Sequence, residues 1–159
     1  MATVSLVPMS AERYVTWRAA SVAGYADENV RAGHWSAEQA LALSEGQFNE
    51  LLPDGLATAG HWLWSVVADS GDAESGAEVG ILWVARRPEG RAFIFDIEMD
   101  PTHRGAGYGT ATMLALEDWC RANGFTSIGL HVFGHNEGAW RLYKRLGYKE
   151  TSVQMEKHL

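Results

Sequence analysis

The period of hydrophobic and polar positions changes several times along the chain, and each change marks an element. Residues 92–99, Ala-Phe-Ile-Phe-Asp-Ile-Glu-Met, alternate as a half-buried strand does. Phe93, Phe95, Ile97 and Met99 fall on one face, and Ile94, Asp96 and Glu98 on the other. Pro101 ends the strand, since proline has no N–H for a sheet ladder. Met113, Leu116 and Cys120 then recur at helical spacing beside Leu114 and Trp119, while Glu117, Asp118 and Arg121 turn elsewhere. Asn123-Gly124 supplies the left-handed stop of that helix. Ser127 to Phe133 predicts another strand. Asn136, a good N-cap, and Gly147, suited to a C′ position, bracket a last helix, with Ala139, Leu142, Tyr143 and Leu146 inward and Arg141, Lys144 and Arg145 outward.

The first half follows the same logic. Ser10 can cap a helix carrying Tyr14, Val15, Trp17 and Val22, and Ser36 with Gln39 has capping-box spacing before Leu41, Phe48 and Leu52. Pro53-Asp54-Gly55 stops that second helix. His61–Val67 and Val79–Ala85 predict strands, joined by the polar residues 69–76 as a flexible hairpin loop. With Val4–Leu6 as a first strand and Lys149–Met155 as a last one, the order is strand, two helices, three strands, helix, strand, helix, strand. This order predicts an α+β mixed sheet in a single domain, 1–159.

Composition narrows the classes. The 159 residues suffice for one substantial core. No apolar run approaches the roughly 20 residues that span a bilayer, and Met1 to Ser5 lacks the basic start of a signal peptide, so no membrane partner is expected. Cys120 is the single cysteine, which excludes an intrachain disulfide, points to the cytoplasm and fits a packing role on the apolar helix face. Six histidines and one cysteine show no zinc-ligand spacing, so no metal is expected. A formal charge of −7 opposes general nucleic-acid binding and is compatible with a cationic amine as ligand.

The candidate chemistry begins at Arg104-Gly105-Ala106-Gly107-Tyr108-Gly109, between the 92–99 strand and the following helix. A strand, a glycine-rich turn and a helix leave amide N–H groups at the positive end of a dipole, which suits an anion. The missing Cβ atoms allow a pyrophosphate close to the backbone, and Arg104 adds a permanent cation. The spacing lacks the G-x-G-x-x-G of dinucleotide folds, and no Gly-Lys-Ser/Thr follows as in a P-loop. Taken alone, the run fits either a ligand cradle or a plain turn.

Together with Asn136-x-x-Ala139-x-x-Leu142-Tyr143-x-x-x-Gly147-Tyr148, in the expected order and separation, it resembles the two cofactor segments of the GNAT superfamily of acyl-CoA-dependent N-acetyltransferases. The glycine run matches the R/Q-x-x-G-x-G/A pyrophosphate loop. The likeness is strong from about Ala77 onward and weaker before it, and the whole chain is most similar to the small bacterial YycN-type acetyltransferases. The resemblance implies a GNAT-like fold, a central, mostly antiparallel twisted sheet with splayed middle strands flanked by helices. It implies acetyl-CoA as acyl donor and a primary amine of a small molecule or peptide as acceptor, attacking directly in a ternary complex.

Mapped onto this chain, Ile97, Glu98 and Met99 border the pantetheine arm. Arg104, Gly105, Ala106, Gly107, Tyr108 and Gly109 bind the pyrophosphate, Thr110 adds a hydroxyl, and Asn136, Ala139 and Tyr143 belong to the second cofactor segment. Tyr143 is the expected acid for the departing thiolate, because a phenol with an ordinary pKa near 10 stays protonated at neutral pH. The base stays open among Glu98, whose pKa burial would raise, His131, and an ordered water. Asp96 can line the acceptor pocket with Glu98. Tyr25, Asp27, Glu28, His34 and Trp35 offer an aromatic and acidic set for a cationic acceptor. His135 reads as a loop or cofactor-edge contact. Each of these residues also has a purely structural reading: Asp96 and Glu98 as ion-pair partners, His131 and Tyr143 as satisfied core residues, the 25–35 set as a solvated turn with core aromatics. A non-catalytic acyl-CoA-binding module is the alternative function, and both monomer and homodimer are compatible with the seven tryptophans.

Overall fold

The computed structural model describes residues 1–69 and 76–159. The central six residues of the expected hairpin loop, 70–75, lie outside the described residues. The order is β1 (Val4–Pro8), α1 (Ala11–Arg31), α2 (Ala40–Leu51), β2 (His61–Ala68), β3 (Glu78–Arg87), β4 (Arg91–Met99), α3 (Tyr108–Ala122), β5 (Ser127–Leu130) and α4 (Glu137–Arg145). The strands form one sheet in sequence order, antiparallel from β1 to β4 and parallel between β4 and β5. This is the mixed, mostly antiparallel sheet flanked by helices that the sequence predicts.

Each face of the sheet carries its own core. On one side Leu82, Val84, Ala92 and Ile94 pack against Met113, Leu116 and Cys120 of α3. On the other, Ile81 and Trp83 meet Trp17 and Val22 of α1 and Phe48 of α2. Leu82, Met113 and Leu116 are wholly excluded from water, each contributing on the order of 1.5–3 kcal/mol relative to an exposed side chain. Ser10 caps α1 by accepting from the Arg13 amide at 3.1 Å. Asn123 and Gly124, at φ 78°, end α3 as expected.

Five expectations need correction. Trp83 pairs with Asp96 and Val84 with Ile94, so Phe95 is an extra residue on β4. The bulge breaks the alternation and bends the strand: Ile97 and Met99 join the α3 face, away from Phe95, which packs on the α1 side. The predicted capping box does not form, because residues 36–39 make a separate turn with Ala40 and Gln39 bonded to the Ser36 carbonyl, and α2 starts only at Ala40. β5 stops at Leu130, so His131 lies beyond the strand. Residues 149–155 form no strand. Within the helices, Val15 and Leu41 face solvent and are not core residues.

Candidate active site

The divergence of β4 from β5 creates the site. The two strands pair only from Arg91 with Ser127 to Ile94 with Leu130, while the other edge of β4 stays on β3 as far as Met99 with Gly80. Beyond Ile94, therefore, the β5-facing edge of β4 has no strand partner among the described residues, and its backbone groups line a V-shaped opening. The intact side has no room for a side chain at Gly80: a Cβ there would collide with the Glu98 carbonyl oxygen.

At the mouth of the opening, the loop after β4 turns through Gly105 and Gly107, at φ 75° and 90°, where L side chains are disfavoured. Gly107 is the N-cap of α3 and offers no side chain, so the first-turn amides of Gly109 and Thr110 gain no acceptor from a cap. Space above the loop is open, since a Cβ at Gly105 would meet nothing within 4 Å. At the N-cap itself a Gly107 Cβ would meet the Ala2 Cβ at 3.6 Å, so the room lies over Gly105, and that space beside a helix start with no side-chain cap fits the diphosphate of coenzyme A. Tyr108 is buried in the α3 core and anchors the loop there. Arg104 is turned back on the strand: its Nε donates to the Met99 carbonyl at 3.1 Å and its Nη2 lies 3.8 Å from Glu98.

The second cofactor segment lies alongside. Asn136 Oδ1 accepts from the Ala139 amide at 3.2 Å, capping α4. Leu142 approaches within 3.4 Å of where a Gly109 Cβ would be, so the helices pack closely, and Arg145 Nη2 donates to Thr110 Oγ1 at 3.2 Å. Tyr143 packs half-buried against the α3-side core. Its hydroxyl makes no hydrogen bond among the described residues, and burial together with the Asp96 charge pushes its pKa above the ordinary phenol value.

Among the described residues, Asp96 is the most perturbed carboxylate. The bulge directs it beneath α1, where Trp17 Nε1 donates to Oδ2 at 3.0 Å and Ser21 Oγ approaches at 3.4 Å. Burial raises its pKa to about 6, helped by the charges of Glu98 and Glu28 and opposed by the two hydrogen bonds. Glu98 is different: its side chain is 58% exposed and faces Arg104. Of the acceptor set, Glu28 is half-buried and its charge reaches Asp96. Tyr25 packs edge-on to Trp35 at 5.5 Å and to Phe48 at 6.3 Å, Asp27 is exposed, and His34 Nδ1 is 3.2 Å from Asn29 Oδ1. His131 is exposed and ring-packed on Phe133, which stacks in turn on His135. Sequence reasoning did not single out Trp17 and Ser21 as donors to Asp96 or Arg145 as the clasp on Thr110; the spacing of Trp17 and Ser21 at i, i+4 on α1 is the one local sign that they share a face.

Comparison with known proteins agrees with this geometry. The sequence profile of the acetyltransferase (GNAT) family matches residues 22–148. The chain is 39% identical to the uncharacterised N-acetyltransferase YycN of Bacillus subtilis (strain 168) over 160 aligned positions, 99% of each chain. It is 30% identical to the uncharacterised N-acetyltransferase YdgE of the same organism, over 98% of each. The crystal structure of YycN superposes with a TM-score of 0.90 over 99% of both chains. At the level of fold alone, it also matches the aminoglycoside N-acetyltransferase AAC(6')-Iy in complex with CoA, at 16% identity and a TM-score of 0.57 over 100% of this chain and 96% of the other. The splayed strands, the glycine loop and the family profile coincide on the same residues, and the chain belongs to the GNAT family of acetyltransferases.

Proposed function

We propose that the protein transfers an acetyl group from acetyl-CoA to a primary amine of a small molecule or peptide, by direct attack within a ternary complex, with Asp96 as proton acceptor and Tyr143 as proton donor. The observation that carries this reading is the pairing of a perturbed carboxylate and a hydroxyl with no hydrogen-bond partner among the described residues beside the opening between β4 and β5. Acetyl-CoA supplies a thioester whose carbonyl carbon is the electrophile. The edge of β4 at Ile97 to Met99 would hold the pantetheine, and the backbone of residues 105–110, with Asn136 and Ala139 of the second segment, would hold the rest of the donor.

An ammonium entering between α1 and β4 meets the charges of Asp96, Glu98 and Glu28, which favour a cation there. Asp96 takes the proton that the attacking nitrogen must lose. A carboxyl with a pKa of about 6 is mostly ionised at neutral pH and still a far better base than an ordinary aspartate. Tyr143, held protonated by its raised pKa, gives its proton to the departing sulfur. Glu98 suits electrostatic steering better than proton transfer, because it is exposed and paired with Arg104. His131 is exposed beyond the end of β5, which leaves it the weaker base on geometry. Tyr25, Glu28 and Trp35 would shape the acceptor side, while His34 supports them through Asn29. A cytoplasmic setting suits such an enzyme.

Thiol release from acetyl-CoA, followed with a panel of polyamines, amino sugars and peptides, tests this reading. At least one amine is expected to accelerate release with an equimolar acetylated product. Tight acetyl-CoA binding with no acceleration by any acceptor would instead support a non-catalytic binding module.

A further inference from the structure

On the α1 face of the sheet, next to Asp96, β2, β3 and β4 carry a run of rings. Phe95, the bulged residue, stacks on Trp83 at 4.7 Å and on the His61 imidazole at 5.9 Å, with an interplanar angle of 24° in each case. Phe93 meets Phe95 edge-on at 5.0 Å. Directly across from Phe93 in β5 stands Gly129, which brings no side chain over that ring. Phe93 and Phe95 are accordingly only partly buried. The rings form a shelf that leads from Asp96 toward the start of β4.

Two donors without acceptors stand on this shelf. The Arg87 Cζ lies 4.7 Å from the Phe93 ring centre and 5.4 Å from that of Phe95, a stacking that holds the planar guanidinium in place. Arg13 and Arg18 of α1 are each taken by a glutamate, whereas Arg87 is exposed and has no carboxylate partner among the described residues. The second donor is His61. An indole nitrogen can only donate, so the bond of 3.0 Å from Trp83 Nε1 to His61 Nδ1 leaves the proton of the neutral ring on Nε2. Burial, and then the Arg87 charge, push the imidazole pKa below its ordinary value, which keeps the ring neutral at neutral pH. Its Nε2–H has no acceptor among the described residues. Arg87 is thus close enough to act on the ring, and one anion can satisfy both donors.

We propose that Arg87 and His61 form a carboxylate subsite of the acceptor pocket, so that the acceptor is an amino carboxylate: its primary amine at Asp96, a flat apolar middle on Phe93 and Phe95, and its carboxylate on the Arg87 guanidinium. Phe95 adjoins Asp96 in the chain, so the guanidinium is on the order of 10 Å from that carboxyl, one Cα–Cα step plus the gap from ring to guanidinium. The charges of Asp96, Glu98 and Glu28 at the other end attract the ammonium and repel the acid, so the pocket also fixes which way round the acceptor lies. A carboxylate is the anion chosen because the guanidinium fork matches a planar oxyanion with two parallel bonds. The place of the amine rests on the acetyl-transfer reading, while the carboxylate subsite needs no turnover.

The probes are para-aminomethylbenzoate and benzylamine, which differ only in the carboxylate. In the unmodified enzyme kcat/KM is expected to favour the amino acid by roughly 10- to 100-fold, the worth of a hydrogen bond between charged groups. Arg87→Met is expected to remove that preference, and Arg87→Lys, which keeps the charge without the fork, to restore part of it. Equal kcat/KM values in the unmodified enzyme, or a preference that survives in Arg87→Met, overturn the proposal. Should Arg87→Met not fold, the His61 ring resonances of the unmodified protein decide. They are expected to shift saturably with para-aminomethylbenzoate and to stay in place with benzylamine; no shift with the amino acid, or the same shift with both, overturns the subsite. If no acceptor of any kind accelerates thiol release, the acetyl-transfer reading falls by itself, and the same titration still decides whether Arg87 and His61 hold a carboxylate.

Discussion

Two hydrogen bonds to one oxygen set the chemistry assigned to Asp96. Its carboxylate is covered by α1 but supported by Trp17 and Ser21, so it keeps the ability to ionise near neutrality instead of staying permanently neutral. As a base it must be charged, so activity is expected to fall as pH drops through about 6. Asp96→Asn should lower kcat/KM by roughly 10²- to 10⁴-fold and abolish that acidic limb. Trp17→Phe removes a bond that favours the charged form, so the limb should move to higher pH. Glu98→Gln removes a repelling charge, so the limb should move to lower pH with turnover largely retained. A pH profile of each variant checks these signs, and a Glu98→Gln enzyme without turnover would return the role of base to Glu98. Asp96 and Glu98 share a face two residues apart, and nothing local distinguishes them. The distinction comes from Trp17, 79 residues away in sequence, and from Arg104, which draws Glu98 outward.

At the level of elements, the site depends on where strands part and where a loop turns. Gly107→Ala forces an L side chain to φ 90°, a cost of about 1–2 kcal/mol, and should raise the KM for acetyl-CoA more than it lowers kcat. Gly80→Ala sets a Cβ against the Glu98 carbonyl. It should lower stability by about 1–3 kcal/mol, seen as a reduced Tm, and disturb β4 where the cleft opens. The glycine loop, α3 and α4 were legible because caps and helical periodicity are local signals, and Asn123 and Asn136 sit where those signals placed them. The bulge at Phe95 was not, because it is defined by the register against Trp83 and Val84. β5 and the segment after α4 were read too long for a related reason: alternation marks a strand former, but only a neighbouring strand makes it a strand. Ser36 had capping-box spacing, yet its carbonyl is committed to a separate turn.

Over the whole molecule, the sheet separates the proposed donor side from the proposed acceptor side. The glycine loop, α3 and α4 form one wall, α1 and α2 form the other, and the parting of β4 and β5 joins them. With a net charge of −7 and the charges of Glu98 and Glu28 reaching Asp96 at the proposed acceptor side, kcat/KM for a cationic amine should fall with ionic strength more steeply than for a neutral analogue. Initial rates at a series of salt concentrations check this. The central claim, that Asp96 takes the proton in amine acetylation within this cleft, is tested most directly by single-turnover acetyl transfer across pH, in the unmodified enzyme and in Asp96→Asn, with an active amine. The account predicts a rate that rises through an ionisation near pH 6 in the former and a slow rate lacking that ionisation in the latter. Equal rates with the same pH profile in both would contradict it.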